Sequence, residues 1–345
     1  MARLHDALKD NGYEGHELEV YLVRVLFCLF AEDTGIFPAD SFHRYIQSAK
    51  PDGSDLSSRL AALFDVLNMP EETRAKRALL SDELKSFRYI NGGLFRDRLG
   101  IAEFDAKMRQ TLIDCANFDW SGISPAIFGA MFQGVMDKQK RRELGAHYTS
   151  EENIRKLINP LFLDDLWAEF HRVKADPRAL DEFHSKIAGL KFLDPACGCG
   201  NFLIITYREL RVLELSVLKM KINSAQLVID IALLLKVSVE QFYGIECEDF
   251  PCQIAQVGMW LVDHQMNLKV SELFGRYFVR LPLTQGATIV RGNGLRMDWG
   301  DVVPKGELSY ILGNPPFAGR RYRTNAQIRD VSHFFAYKDI DYVAC

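Results

Sequence analysis

From about residue 145 onward, the sequence alternates short apolar segments with longer segments of helical pattern. The predicted strands cover residues 191–194, 241–246, 288–291 and 308–312. The predicted helices between them cover residues 201–221, 224–235 and 249–265. Alternation of this kind predicts an α/β fold, with a parallel sheet and helices on both faces. Since ligands of such sheets bind beyond the C-terminal ends of the strands, the residues after each strand are candidate functional residues.

Residues 1–135 are predicted to form a separate all-helical domain, which precedes an α/β domain at 136–345. Helices are predicted over residues 17–32, 56–67, 71–86 and 124–139. The first of these is apolar nearly all round, which is typical of a buried helix. Glu32 and Asp33 lie at its end, where the helix dipole disfavours acids, so we predict an arginine partner for them.

The composition is that of a globular protein. Apolar residues make up 48% of the 345 residues and charged residues 26%, which excludes disordered, collagen-like and pure coiled-coil chains. The net charge of −4 excludes a wholly basic coat for nucleic acid, but it is compatible with a local basic groove. Seven cysteines, an odd number, predict reduced thiols. With no signal peptide and no apolar segment long enough to span a bilayer, we expect a cytoplasmic protein without a membrane partner.

A glycine-rich loop follows the first predicted strand. It reads DPACGCGNF over residues 194–202 and runs directly into a predicted helix. Glycines at this place allow a ligand to approach the backbone closely, and the helix N-terminus offers free N–H groups. The G-x-G spacing alone is a weak signal for a cofactor loop, and the G-x-x-x-x-G-K-[ST] pattern of a phosphate loop is absent.

Polar groups also follow two other predicted strands. Glu246 ends the second strand, where a carboxylate can accept hydrogen bonds from both hydroxyls of a ribose. The alternative is a carboxylate at a strand end that only contacts solvent. Asn314, Pro315, Pro316 and Phe317 follow the fourth strand. The prolines fix the backbone and remove N–H donors, so two carbonyls and an amide can face one spot beside an aromatic ring. This arrangement suits an amino group on a flat heterocycle, and a proline-rich turn is the alternative.

Taken in order, DPACGCGNF, YGIE and NPPF resemble the motifs of the S-adenosylmethionine-dependent amino methyltransferases of DNA. The upstream GAHYTS (145–150) resembles the G-x-x-Y-T-[PS] motif of the adenine-N6 enzymes with the gamma order of motifs. The segments LFCLFAEDTGIF, NGGLF and RRELGAHYT are similar to the helical spacer and methyltransferase of MmeI-like single-chain restriction-modification enzymes and their YeeA-like relatives. The resemblance covers essentially the whole chain.

The resemblance implies a class I methyltransferase fold, with a Rossmann-like sheet that binds S-adenosylmethionine. In the family, the glycine-rich loop holds the methionine end of the cofactor, an acid at a strand end binds its ribose, and a later segment contacts its adenine ring. The cofactor residues that it implies here are Tyr148, Thr149, Asp194, Ala196, Gly198, Gly200, Asn201, Phe202, Glu246, Asn293 and Leu295. The chain departs from many relatives at Cys199, where they carry serine.

For the reaction, the resemblance implies methyl transfer to N6 of an adenine flipped out of duplex DNA, within a restriction-modification or phage-defence system. The catalytic residues are then Asn314, Pro315, Pro316 and Phe317, with two acceptors for the amino hydrogens and a ring that stacks on the base. Two acceptors favour a pyramidal nitrogen as the methyl group arrives, so the transfer needs positioning more than a strong base.

Several alternatives are compatible with the sequence. N-P-P-[FY] also occurs in methyltransferases of RNA and of protein glutamine, whereas cytosine-N4 enzymes tend to carry serine in place of Asn314. Only four strands are predicted where the family has seven, and the nuclease and target-recognition domain of the family have no counterpart. The sequence therefore also predicts a truncated cofactor-binding or interaction module without turnover, completed by a missing C-terminal recognition region or a partner chain. The strand at 308–312 would then be an unpaired edge.

No metal site is predicted. Cys197, Cys199, Cys247 and Cys252 could be combined into a zinc site, but the C-x-C of Cys197 and Cys199 lies inside the ligand loop and lacks the usual C-x₂₋₄-C spacing.

Overall fold

The computed structural model of the protein describes residues 1–77, 79–90, 93–100, 102–135, 149–224, 234–275, 286–315, 317–319, 324–335 and 342–344. The chain divides into two units, Met1–Lys138 and Gln139–Cys345. Within the described residues, no helix has both the length and the apolar character that a bilayer span requires.

The first unit is helical and is built around one buried helix. Its helices are α1 (Ala2–Asp10), α2 (Gly15–Asp33), α3 (Ser41–Gln47), α4 (Leu56–Leu67), α5 (Glu71–Arg74), α6 (Asp82–Lys85), α7 (Ala106–Ala116) and α8 (Ile127–Val135). Every side chain of α2 from Leu18 to Glu32 is buried, as its sequence predicts. Phe27 of this helix makes edge contacts with other rings, such as Phe95 at 5.5 Å between centroids.

The predicted helix over 71–86 is wrong, because two single-turn helices, α5 and α6, take its place. The guanidinium of Arg74, the last residue of α5, is buried and donates to the main-chain carbonyls of Val66 (2.7 Å) and Phe87. These bonds tie the chain after α5 back onto the end of α4.

The predicted arginine partner for Glu32 and Asp33 is also wrong. Oε1 of Glu32 accepts the backbone N–H of Phe42 at 2.6 Å, and the N–H of His43 lies 3.2 Å from both carboxylate oxygens. These are free donors in the first turn of α3. Asp33 accepts the backbone N–H of Trp120 at 2.7 Å. Both acids therefore lie at the C-terminal end of α2 and accept from main-chain N–H groups of other segments. Glu32 also lies at the N-terminal, positive end of α3.

The second unit contains a four-stranded parallel sheet, and its strand order is β3-β2-β1-β4. The strands are β1 (Phe192–Asp194), β2 (Phe242–Glu246), β3 (Thr288–Arg291) and β4 (Tyr310–Ile311). All four predicted strands are present, and they end at one edge of the sheet. A separate antiparallel pair, β5 (Phe317–Gly319) with β6 (Tyr342–Ala344), was not predicted. Within the described residues β4 is an edge strand, and its Ile311 is 51% exposed.

Helices and a π-helical turn surround this sheet. They are α9 (Glu151–Ile158), the π turn Asn159–Leu163, α10 (Asp164–Val173), α11 (Pro177–Gly189), α12 (Asn201–Ser224), α13 (Asp249–Phe274) and α14 (Asn325–Phe335). The predicted helix over 224–235 lies almost wholly outside the described residues. On one face of the sheet, the ring of Phe192 stacks on Phe242 (5.1 Å) and on Tyr310 (5.4 Å). This aromatic row fixes the register of three neighbouring strands.

A buried polar network joins α12 and α13. The guanidinium of Arg211 is fully buried and donates to the hydroxyl of Tyr207 (2.5 Å), to Oδ1 of Asp263 (3.0 Å) and to Oδ1 of Asn267 (2.9 Å). Its Nε lies 3.2 Å from Glu214 Oε2. Because the Arg211 guanidinium on α12 is hydrogen-bonded to Asp263 and Asn267 on α13, the network holds the two long helices in a single arrangement.

Candidate functional site

The loop between β1 and α12 is wound tightly against the sheet. The N–H of Cys197 donates to the carbonyl of Ile245 on β2 at 2.9 Å, and the N–H of Gly200 donates to the carbonyl of Cys197 at 2.8 Å. Gly198 and Gly200 have φ of +53° and +81°, in the left-handed region that glycine adopts without strain. A Cβ on Gly200 would also lie 3.0 Å from Ala255 Cβ on α13. The glycines are thus required by the path of the loop.

Two carboxylates lie at the strand ends beside this loop. Asp194 is buried, and its Oδ1 accepts the N–H of Ala196 at 3.1 Å. Burial raises the pKa of Asp194 to about 7; the Ala196 hydrogen bond opposes the rise, and the charge of Glu246 adds to it. Glu246 is half-buried, and its Oε2 accepts the N–H of Gly198 at 2.9 Å. Its Oε1 accepts the N–H of Glu248 at 3.0 Å. Glu246 therefore holds the glycine-rich loop in place, whether or not it also binds a ribose.

The segment after β4 runs directly past Asp194. The N–H of Leu312 donates to the carbonyl of Leu193 at 3.0 Å, which extends the pairing of β4 with β1. A Cβ placed on the next residue, Gly313, would lie 2.9 Å from Cγ of Asp194. Asn314 and Pro315 follow and are exposed. Of the other two predicted catalytic residues, Pro316 lies outside the described residues, and Phe317 is described only as the first backbone position of β5.

Thr149 of the predicted upstream motif is hydrogen-bonded to Asn314, the predicted catalytic asparagine. Nδ2 of Asn314 donates to Oγ1 of Thr149 at 3.0 Å, across 165 residues of sequence. The next residue, Ser150, is the N-cap of α9, and its hydroxyl accepts the N–H of Asn153 at 3.4 Å. The other residue predicted in this motif, Tyr148, lies outside the described residues.

Ion pairs attach the start of α9 to α12. Both carboxylate oxygens of Glu151 accept from the guanidinium of Arg208, and the Nη1–Oε2 distance is 3.1 Å. Arg155 bridges Oε1 of Glu151 and Oε1 of Glu209 at 3.1 Å each. The hydrogen bond from Arg208 lowers the pKa of Glu151, so the pair is charged at neutral pH. We call Glu151, Arg155, Arg208 and Glu209 the α9–α12 clamp.

The segment with the predicted Asn293 and Leu295 also reaches the glycine-rich loop. A Cβ on Gly294 would lie 3.3 Å from the carbonyl carbon of Pro195 and closer still to its oxygen. Oδ1 of Asn293 accepts the N–H of Leu295 at 2.9 Å, and its Nδ2 donates to Asp330 of α14 at 2.8 Å. The same carboxylate accepts Nε of Arg296 at 2.7 Å. The asparagine is therefore held by its own turn and by the helix that follows the NPPF segment.

These groups suit a ligand that has a cationic end and a hydroxylated sugar. Asp194 is a buried carboxylate without a cationic partner among the described residues, and a positive group would favour its charged form. Oδ1 of Asn201, at the first position of α12, is buried and accepts no hydrogen bond within the described part of the chain. A buried acceptor of this kind calls for a donor. Ala196 and Phe202 lie in the same loop, and Phe202 is buried in the core.

The described residues contain no cluster of three or more histidine, cysteine or acidic side chains that could hold a metal. Cys197 is buried and instead packs at the loop, because a Cβ on Gly244 of β2 would lie 2.8 Å from its Sγ. Cys252 is buried as well.

Sequence reasoning missed four residues of this arrangement: Gly313, Glu151, Arg208 and Asp330. Gly313 directly precedes the NPPF segment, so its place in the sequence was a usable signal. The other three act through side-chain pairs that are 34 or more residues apart, and one sequence carries no signal for those pairs.

The parallel sheet, the glycine-rich loop and the strand-end carboxylates define a class I methyltransferase fold. A family model for the DNA-methyltransferase domain of MmeI matches residues 170–345, which is about half of the chain. The model for the MmeI helicase spacer domain matches residues 16–95. The chain belongs to the MmeI DNA-methyltransferase family.

Individual relatives agree with this assignment. DNA methyltransferase A of Bacillus subtilis (strain 168) is 39% identical over 100% of this chain and 40% of its own length. A Methanocaldococcus jannaschii protein, named as a type II restriction enzyme and methyltransferase, is 24% identical over 69% of this chain and 24% of its own length. The solved structure of the type IIL restriction-modification enzyme MmeI in complex with DNA has a TM-score of 0.84 and 54% identity, over 98% of this chain and 46% of that one. The chain thus spans less than half the length of these relatives.

Proposed function

We propose that this chain transfers the methyl group of S-adenosylmethionine to N6 of adenine in duplex DNA, as the catalytic part of a restriction-modification or phage-defence system. The observation that carries the proposal is the meeting of Asn314 with Thr149 at 3.0 Å, one residue away from the contact of Gly313 with Asp194. The acceptor motif and the cofactor loop therefore adjoin each other. The relationship to MmeI, whose solved structure contains DNA, supports DNA as the partner.

The cofactor would be held by the glycine-rich loop and the carboxylates at the strand ends. Asp194 and the unpaired Oδ1 of Asn201 accept from the methionine end, and Glu246 accepts from the ribose hydroxyls. A carboxylate has about four acceptor positions, so Glu246 can keep its bond from Gly198 while it binds the ribose. The turn at Asn293 and Leu295 would contact the adenine ring of the cofactor. When bound, the cofactor would supply an electrophilic methyl group carried on a sulfonium, whose sulfur would keep the electron pair of the C–S bond.

Asn314 and Pro315 would act on the acceptor base. Their oxygens accept the two hydrogens of N6, which loosens the nitrogen lone pair from the ring and turns it toward the methyl carbon. Once methylated, N6 would release one proton to water. Holding the two reacting atoms in line is the main contribution of the site. The stacking ring of Phe317 and the hydrogen bonds offset the cost of flipping the base, which is a few kcal/mol.

Cofactor binding is tested by calorimetric titration of S-adenosylmethionine into the chain and into Asp194→Ala and Glu246→Ala. We expect binding by the chain and none by either variant. No binding by the unmodified chain would contradict the cofactor proposal for this chain.

The acceptor is identified by incubating the chain and labelled cofactor with duplex DNA, with RNA or with protein, followed by digestion and mass analysis of each. We expect N6-methyladenine, its loss in Asn314→Ala, and its retention in Asn325→Ala, which changes an exposed asparagine at the start of α14. N4-methylcytosine, or label found only in RNA or a glutamine peptide, would overturn the acceptor proposal. Undiminished methylation by Asn314→Ala would remove the role given to Asn314.

A further inference from the structure

The hydrogen bond between Thr149 and Asn314 uses one end of the asparagine amide. Nδ2 donates to the threonine hydroxyl at 3.0 Å, which directs Oδ1 away from Thr149. The two ends of an amide differ in chemistry, because the nitrogen only donates and the oxygen only accepts. A half turn about the last side-chain bond exchanges them. A hydroxyl can pair with either end, and the Thr149 hydroxyl accepts from the nitrogen, which leaves the oxygen free to accept from a substrate.

An amino group on an aromatic ring offers two hydrogens and needs acceptors. If Asn314 presented Nδ2, a donor would face a donor and the nitrogen lone pair would stay in the ring. We propose that Thr149 is a positioning residue that fixes the Asn314 amide with its oxygen toward the acceptor amino group. The inference rests on the proposed function, and it gives Thr149 a task separate from cofactor binding.

The structure holds Thr149 firmly enough for this task. The residue precedes the N-cap of α9, and the α9–α12 clamp attaches the first turn of that helix to α12 through a two-oxygen Glu151–Arg208 pair. α12 begins at the glycine-rich loop. The hydroxyl is thus fixed relative to the cofactor loop, and it transmits that position to Asn314.

The test compares Thr149→Val, which keeps the shape but loses the hydroxyl, with Thr149→Ser, which keeps the hydroxyl. The first readout needs no turnover: the side-chain amide signals of chain labelled with ¹⁵N-asparagine, with the Asn314 pair identified by its absence in Asn314→Asp. We expect Thr149→Val to shift the Asn314 signals and to speed their exchange with water, and Thr149→Ser to leave them near their original positions.

The second readout is methyl transfer to duplex DNA under saturating cofactor, measured beside the calorimetric affinity for S-adenosylmethionine. We expect Thr149→Val to lower kcat about tenfold, which is the value of one lost hydrogen bond. Any loss of affinity for S-adenosylmethionine, to which the family resemblance assigns Thr149, is smaller than the loss of kcat, and Thr149→Ser restores most of kcat.

Unchanged Asn314 signals in Thr149→Val would overturn the inference, even if the chain proved unable to methylate DNA. A loss of cofactor affinity with an unchanged kcat would also overturn it, since Thr149 would then be a cofactor contact. A failure of the proposed function has a different signature: the unmodified chain yields no methylated adenine, while the amide signals still report on the hydrogen bond.

Discussion

Gly313 and Asp194 lie against each other so closely that no side chain fits between them. A Cβ on Gly313 would be 2.9 Å from Cγ of Asp194 and 3.2 Å from its Oδ2. Since real Cβ atoms essentially never approach other atoms within 3.0 Å, either the strand end or the carboxylate would have to move. The segment that carries Asn314 is therefore packed directly against Asp194, at the start of the glycine-rich loop.

We expect Gly313→Ala to displace the Asp194 carboxylate and to lose cofactor binding, with a cost in stability of about 1–3 kcal/mol from overpacking. The matched control is Gly189→Ala at the end of α11, where a Cβ would meet nothing within 4 Å. The measurements are urea unfolding and titration with S-adenosylmethionine. Equal behaviour of the two variants would show that the contact is unimportant.

The strand ends could be predicted from the sequence because each is marked locally. A short apolar segment predicts a strand, and the DPACGCGNF loop, the acid or the NPPF motif that follows it marks the strand end where functional residues lie. The parallel arrangement then brings Asp194 and Glu246 to the same edge of the sheet. The family resemblance added which group of the ligand each residue would bind, and those assignments remain predictions.

The pairs between distant side chains could not be predicted. A periodic pattern says which face of α9 is buried, but it does not say that Glu151 pairs with Arg208. The same limit explains the error at Glu32, where the partner is a pair of backbone N–H groups and no residue type marks them. For α5, the inward turn of Arg74 outweighs the helical pattern of the segment. Tyr148 and Pro316 lie outside the described residues and stay predictions.

The raised pKa of Asp194 predicts a pH dependence of stability in the absence of cofactor. The folded chain keeps this proton up to about pH 7, whereas the unfolded chain loses it near the ordinary value of 3.8. Between these values the folded state binds the extra proton, so the free energy of unfolding falls as the pH rises, by at most about 4 kcal/mol. Above about pH 7 this contribution is constant.

Asp194→Asn removes that titration. In urea unfolding at pH 5, 6, 7 and 8, we expect the variant to gain stability relative to the original chain up to about pH 7, with no further change above it. A difference that is the same at every pH would mean that Asp194 titrates normally.

The buried network around Arg211 predicts a large difference between two substitutions. Arg211→Met removes the guanidinium that pairs with the buried carboxylates of Asp263 and Glu214, and we expect it to cost about 3–5 kcal/mol. Tyr207→Phe removes one hydroxyl and leaves the ion pairs, so we expect about 1 kcal/mol. Chemical unfolding measures both. Similar costs for the two variants would contradict the view that the paired charges hold α12 and α13 together.

The α9–α12 clamp predicts an effect on catalysis that is larger than its effect on stability. The side chains of Glu151 and Arg208 are 34% and 16% exposed, and pairs that solvent reaches contribute at most about 1 kcal/mol. Glu151→Gln should therefore leave the urea midpoint nearly unchanged. By loosening the turn that holds Thr149, it should lower the rate of methyl transfer severalfold at saturating cofactor. The matched control is Glu152→Gln, which breaks the exposed pair with Lys156 one residue along the same helix. Because Glu152 pairs only along α9 in the described structure, Glu152→Gln should change neither the urea midpoint nor the rate. An equal loss of rate in both variants would show that catalysis depends on the overall charge of α9 and not on the Glu151–Arg208 contact.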